Sequence, residues 1–570
     1  MTRVEWLPSF PSSTIHRFPP AQSILLFLPV RQIHYSAWLL VALSALLQVL
    51  IFPLPGLYVL SWIAFAPLIV AILRARPAGA LEIDGSTNLR AAMPGQAFLL
   101  AYVCGILWYA GTCYWIYDTM HEHGGLSVFF ALLALFLFCL YLGLYHGLFG
   151  LLLGLAAGPG RDNRLALISL PFLWVAAELA RTRVTGFPWD LLGTAQVDNV
   201  SLSRISTFTG VYGLSFEIML VNVALAAAFL VQKKKRGTLL LAALAAAAVL
   251  QAGRLVDAPA INGDHAALLV QQNIPVDENW TRETFERTLR ELTDLSVKAE
   301  GSRTLSAGVA AASKPDLIVW PESPAPFFTN DPLFRNPVSE MARNTGTWEV
   351  TGAIGSSASR NSSGISDVFN SAALISPSGE WTARYDKVHL VPFGEYLPFP
   401  KLFAFAGGLT KEVGEFKPGE SRAPLHAGSS PLGIFICYES VFPDDVRQFA
   451  NNGAQVFVNI SNDAWYGDSG AYAQHLNQTR MRAIENDRWI LSATDTGVTA
   501  SIDPYGRVAA QLPRKIRDAL AAPYSLNPGT TFYTRHGDWF AFLCAIISAG
   551  ALLTRFAPNK NKEDRKKESA

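Results

Sequence analysis

The chain has 570 residues, 50% of them hydrophobic and only 16% charged, with a mean hydropathy of +0.24 and a formal net charge of +1. Soluble proteins carry about a quarter charged residues, so the composition argues against a wholly soluble chain, and the near-neutral charge gives no ground for a nucleic-acid partner. Four of its five cysteines (Cys104, Cys113, Cys139 and Cys544) lie in apolar runs, which argues against a disulfide-stapled secreted scaffold.

Residues 1–35 read as a cytoplasmic leader, because the apolar run 24–30 is too short to span a bilayer and no cleavage site follows it. A span needs roughly 20 apolar residues. Stretches 36–53, 56–73, 96–116, 127–155, 164–182, 212–231 and 237–254 qualify, and 537–555 follows a long polar half, giving about eight helices. Basic residues mark the cytoplasmic side. Arg74 and Arg76, Arg161 and Arg164, Lys233 to Arg236, and the cluster from Arg555 to Lys567 all fall on one side if the N-terminus is inside. Arg181 and Arg183 are the exception. Glu178 and Arg181, three apart on a helix, read as a structural ion pair. The aromatic loop Gly186-Phe187-Pro188-Trp189-Asp190 suits the headgroup level. His121-Glu122-His123 reads as a solvated loop, and no metal is expected there.

This divides the chain into a leader (1–35), a membrane domain (36–254), an extracytoplasmic domain (255–536), a last transmembrane helix (537–555) and a basic cytoplasmic tail (556–570). In the polar half, the runs 266–271, 316–320, 349–354, 432–437, 455–460 and 489–493 read as buried strands. Helical stretches at 281–299, 440–451 and 471–486 alternate with them, which predicts a layered α/β domain. The polar loop 79–94 and the Ala/Ser/Gly-rich segment 301–315 read as insertions.

Three places in this half carry chemistry. The strand 317–320 runs into Pro321, which ends it and presents Glu322 at the sheet edge. Lys387 and Glu395 share the proline-bent, aromatic stretch 385–396. A second apolar strand, 433–436, delivers Cys437 to its end, with a helix soon after. A thiol needs a cation, a helix N-terminus or a base to become a ready nucleophile. Glu322 suits the base and Lys387 the cation, with the Tyr438 N–H as a second oxyanion donor. His389 and His475 read as isolated, no nucleotide-binding loop is present, and no cofactor is expected.

Glu322, Lys387 and Cys437, in that order and context, resemble the Glu-Lys-Cys triad of the nitrilase (carbon–nitrogen hydrolase) superfamily. With seven helices before the domain and one after, the chain resembles the apolipoprotein N-acyltransferase family, through Trp320-Pro321-Glu322-Ser323, His389 to Glu395, Cys437-Tyr438-Glu439 and Ser461 to Gly467. The resemblance implies a multi-pass helical membrane domain joined to an αββα sandwich in the bacterial inner membrane, with the sandwich on the periplasmic side. It also implies a ping-pong reaction in which Cys437 takes an acyl chain from a membrane phospholipid as a thioester. The chain then passes to the α-amine of the S-diacylglyceryl cysteine of a lipoprotein. On the same basis Glu395 supports the triad, and Trp280, Tyr438 and Glu439 match positions linked to substrate handling or site architecture. Phe393, Tyr396 and Trp465 are expected to shield the thioester from water. A monomer is expected. The triad alone also fits a membrane-tethered amidase acting on a small amide, but a mere anchor needs one helix and leaves the Gly186–Trp189 loop without a task.

Overall fold

The structure, a computed structural model, describes residues 33–77, 89–157, 164–230, 233–298, 314–360, 366–397 and 416–556, apart from positions 258, 261, 276, 277 and 324. Nearly all of the leader, most of the 79–94 loop, most of the 301–315 segment and the basic tail lie outside the described residues.

Each expected span is helical. Pro94–Thr112, Val128–Ala157, Leu165–Thr185, Val211–Leu230 and Lys235–Leu255 are long and apolar enough to cross a membrane, whereas Tyr35–Ile51, Tyr58–Leu73 and Trp539–Thr554 are apolar but shorter. Small residues set the closest helix approach: a β-carbon on Gly150 would lie 2.3 Å from the Ala97 carbonyl oxygen. Buried Asn222 ties three backbone groups together. Its Oδ1 accepts from Phe65 N (2.8 Å) and Ala66 N (3.0 Å), satisfying orphan donors at a helix start, and its Nδ2 donates to Ser61 O (2.8 Å).

The polar half is a four-layer sandwich. One sheet comprises β1 (His265–Gln271), β2 (Leu317–Val319), β3 (Trp348–Arg360), β4 (Ser366–Ile375), β5 (Trp381–Asp386) and β12 (Asp518–Tyr524), in the order β12-β1-β2-β3-β4-β5. The other comprises β6 (Leu425–Ala427), β7 (Ser430–Ile436), β8 (Val456–Ser461), β9 (Ile490–Thr494), β10 (Ala500–Ile502) and β11 (Val508–Gln511), in the order β11-β10-β9-β8-β7-β6. In each sheet the central strands, β1-β2-β3 and β7-β8-β9, are parallel, and the outer pairings are antiparallel.

The strand period of two makes both faces apolar. Ala267 and Leu269 of β1 join Leu432, Ile434 and Val458 between the sheets. Leu268 and Val270 pack outward on Leu289 and Leu292 of helix Arg282–Lys298 and on Phe334 and Val338 of helix Pro332–Thr345. Helices Pro443–Asn451 and Ala471–Asn486 complete the second outer layer. The domain's first and last strands are neighbours, β12 pairing antiparallel with β1 from Asp518↔Gln271 to Tyr524↔His265. Pro523 is tolerated there because β12 is an edge strand.

Glu349 on β3 is fully buried, and neither carboxyl oxygen has a hydrogen-bond partner among the described residues. Burial pushes its pKa well above the ordinary carboxyl range. Such a group stabilises the fold most below its unfolded pKa of about 4.3, and that contribution is lost as the pH rises through the folded value. Glu349→Met removes the buried acid at similar volume. It is expected to raise stability by about 1–3 kcal/mol at pH 8, with a smaller gain at pH 5, in thermal unfolding of the detergent-solubilised protein. No gain at pH 8 would show that the carboxyl is solvated or paired.

The two halves are joined through polar contacts. Gln474 Nε2 donates to Pro53 O (2.9 Å) and Thr112 O (3.1 Å), and Gln474 Oε1 accepts from Trp189 Nε1 (2.7 Å). Glu485 Oε1 accepts from Val211 N (2.9 Å) at the start of a membrane helix. Arg183, an exception to the charge rule, pairs with Asp444 (3.0 Å) and Asp538 (2.5 Å). Arg181 departs from the expected pairing with Glu178. Its Nη1 donates to Tyr109 OH (2.7 Å), while Glu178 Oε1 accepts from Leu192 N (2.8 Å). The chain leaves regular helix geometry at Arg181–Thr185, which re-aims the Arg181 side chain.

Candidate active site

Strand ends bring the expected residues together. Cys437 follows β7 and opens the tight turn Cys437–Val441, with a left-handed φ of 51°. A residue with a β-carbon pays about 1–3 kcal/mol for such a conformation, so its surroundings must hold it there. Glu322 follows β2 by three residues, and Lys387 directly follows β5. Cys437, Glu322, Lys387 and Glu395 are all buried.

Lys387 Nζ lies 3.0 Å from Glu395 Oε1 and 3.4 Å from Glu322 Oε1. The second Glu322 oxygen accepts from Asn462 N (2.8 Å), and the second Glu395 oxygen accepts from Val391 N (2.7 Å). Both carboxylates are thus held on both oxygens. Burial pulls the Lys387 pKa down, but Glu322 and Glu395 outweigh it, so the amine stays cationic with a raised value. Burial and the Glu322 charge push the Cys437 thiol well above its ordinary value, with Lys387 and the Ser461 hydroxyl opposing them. The resting group is a thiol with a carboxylate base and a fixed ammonium beside it, a set suited to proton removal followed by attack on a carbonyl.

Asn370, on β4, was not singled out in the sequence. Its Nδ2 donates 2.6 Å bonds to both Glu322 Oε1 and Glu395 Oε1, placing the two carboxylates side by side. A lone polar pair, Asn370-Ser371, inside the apolar run 368–375 was the available signal. Glu439 ties the nucleophile turn to the lysine loop. It accepts from Ile436 N (2.7 Å), Val388 N (2.7 Å), His389 N (3.0 Å) and Tyr385 OH (2.8 Å). Tyr438 OH donates to Gly186 O (3.0 Å) of the membrane domain. The Trp280 ring lies edge-on to Phe327 at 6.5 Å and packs against the outer helix layer.

Among the expected shielding residues, Trp465 packs edge-on to His123 (5.7 Å), and its carbonyl accepts from Thr119 Oγ1 (3.0 Å) on the membrane side. Phe393 N donates to Tyr396 O (2.8 Å) in the loop holding Glu395. Neither histidine read as isolated is so. His389 lies 2.8 Å from Asp445. His475 sits directly behind Cys437, and Cys437, Asp463 and His475 each bring one ligand-capable atom within 4.8 Å of the others. His475 was missed because nothing in its own helix marks it; only the fold sets it against the nucleophile.

A cysteine at a parallel strand end, within two packed sheets and their outer helices, defines a carbon–nitrogen hydrolase domain, and residues 266–527 match the family model Carbon-nitrogen hydrolase. Residues 44–224 match the Apolipoprotein N-acyltransferase N-terminal domain. A Geobacter metallireducens protein named apolipoprotein N-acyltransferase is 36% identical over 90% of this chain and 94% of its own length. One of Methylococcus capsulatus with the same name is 33% identical over 80% and 87%. An amidase from Nesterenkonia sp. is 18% identical, with a TM-score of 0.33 over 49% of this chain and 98% of its own. The chain belongs to the apolipoprotein N-acyltransferase family and is an acyltransferase.

Proposed function

We propose that Cys437 attacks an ester of a membrane phospholipid, typically phosphatidylethanolamine, releasing the lysophospholipid and leaving a thioester. The α-amine of a lipoprotein's S-diacylglyceryl cysteine then attacks the thioester, forming the amide and freeing the thiol. Glu322 takes the thiol proton and returns it to the leaving alkoxide. It then serves as base for the incoming amine. Lys387, with the Tyr438 N–H, balances the charge on the tetrahedral oxyanion. Glu395 holds Lys387 in place, and Glu439 orients the turn.

The observation that carries this reading is the site's position at the junction of the two halves. The residue after the nucleophile is hydrogen-bonded to the membrane loop at Gly186, and the Trp465 loop rests on membrane residues Thr119 and His123. A site walled by membrane segments suits a lipid ester, whereas a small-amide hydrolase has no use for them.

The same reading has eight crossings, with both termini cytoplasmic and the catalytic domain periplasmic. At one end of the membrane domain, Arg74 Nη1 donates to Phe229 O (3.3 Å), and Arg236 stacks over the Phe229 ring at 6.0 Å. Two of the basic residues read as cytoplasmic therefore meet at one helix end, which supports this orientation. A monomeric functional unit is part of this reading, supported by a triad that lies within one buried cluster of one chain.

The test is intact mass spectrometry of the purified enzyme after incubation with phosphatidylethanolamine alone. The expected result is a hydroxylamine-sensitive acyl adduct on Cys437, discharged by a diacylglyceryl-cysteine peptide that becomes N-acylated. A folded protein whose reactive Cys437 takes no acyl group, but which hydrolyses small amides, would favour the amidase.

A further inference from the structure

A chain of buried contacts ends on the Cys437 carbonyl, and ligand-capable atoms of Cys437, Asp463 and His475 lie within 4.8 Å of one another. Ser461 Oγ donates to Asp463 Oδ1 (2.6 Å). Asp463 Oδ1 lies 3.3 Å from His475 Nδ1, and His475 Nε2 lies 3.1 Å from Cys437 O and 2.8 Å from Ser440 Oγ. Asp463 is 3% exposed and His475 2%.

Nδ1 therefore faces a carboxylate, and Nε2 faces the nucleophile's carbonyl beside the Ser440 hydroxyl, which can donate or accept. Only a doubly protonated ring donates to both at once. The ring is fixed in its plane by Trp189, stacked at 6.2 Å and 5°, and by Tyr466 at 5.8 Å. On the other side of the Cys437 α-carbon, Glu439 accepts from Ile436 N (2.7 Å). The left-handed turn is thus gripped before the α-carbon by Glu439 and after it by His475.

We propose that His475, paired with Asp463, is a positioning residue that holds the Cys437 carbonyl and so keeps the nucleophile's backbone in the turn that aims its sulfur at the substrate. It acts through Cys437 and touches no substrate. The inference rests on Cys437 being the nucleophile. Misplacing a reacting atom by about 1 Å costs on the order of 100-fold in rate, so the effect belongs to the acylation step and not to lipid binding.

Two near-isosteric substitutions separate this role from simple packing. The amide nitrogen of His475→Gln falls where Nε2 lies and keeps the donor to the Cys437 carbonyl. That of His475→Asn falls where Nδ1 lies and keeps only the bond to Asp463. Both remove the ring stacked on Trp189. The measurement is Cys437 acylation of the full-length enzyme by phosphatidylethanolamine in single-turnover mass spectrometry, with kcat and KM for transfer. His475→Asn is expected to lose roughly 100-fold in acylation and kcat, while His475→Gln keeps at least about a tenth of the wild-type rate, with KM little changed in both.

Equal losses in the two variants, or a loss carried by KM, would overturn the proposal. If His475→Asn does not fold, a folded His475→Gln protein decides alone, since a loss approaching 100-fold would refute the carbonyl grip. The wild-type adduct is the control: its absence would count against the nucleophile assignment, not against the role of His475.

Discussion

Cys437→Ser is expected to give a folded protein with no acyl adduct and transfer reduced on the order of 10⁴-fold or more. Serine is close to cysteine in size and fits the same turn, so thermal stability should shift by less than about 1 kcal/mol. The loss arises in chemistry. A serine hydroxyl is far less acidic than a thiol. Acylation and transfer rates together with a melting curve check this. Transfer at the wild-type rate would remove Cys437 from the mechanism.

Lys387→Met should damage both rate and fold. Lys387 is 1% exposed and is the cation between Glu322 and Glu395, which Asn370 holds together on its other side. Removing one partner of a buried ion pair costs about 3–5 kcal/mol, because the remaining charge has neither water nor counter-ion. Losing an oxyanion donor costs a further 10²–10³-fold, roughly, in kcat. In the wild type the sign of the pH effect follows from the raised Lys387 value. Its stabilisation is fully present below the ordinary lysine pKa of about 10.4 and is lost only above it, so the cluster should be insensitive to pH from 6 to 9 or so. Thermal unfolding across that range tests the claim. A wild-type protein that loosens steeply near pH 8 would mean that Lys387 is not held as a cation.

Apolar length was a sufficient signal for the five helices long enough to cross a membrane, and unbroken apolar runs were sufficient for the buried parallel strands. Three of the missed elements carry a local contradiction. Helix Pro332–Thr345 holds Pro332 and Pro337. β5 is rich in polar residues, because it closes the edge of its sheet. β12 contains Pro523, acceptable only because that strand has one neighbour.

At the site, Glu322, Lys387, Glu395 and Cys437 were legible because each ends a strand or shares a distinctive loop. Asn370 and His475 were not, since their importance lies in which strand or helix face meets which, and that is decided by tertiary packing. Arg181 was read as the partner of Glu178 because the two share a helix face, whereas its partner Tyr109 sits 72 residues away.

The pairing of β1 with β12 also bears on how such a chain can be altered. The catalytic domain leaves and returns to the membrane at one seam, with His265 and Tyr524 opposite each other. A domain whose ends lie together behaves as a cassette that can be inserted between two helices without forcing them apart. Exchange of residues 265–524 for a related sandwich therefore demands little of the covalent joints. Its success would be set by whether the newcomer offers counterparts of Gln474, Glu485 and Tyr438 to Trp189, Val211 and Gly186 on the host.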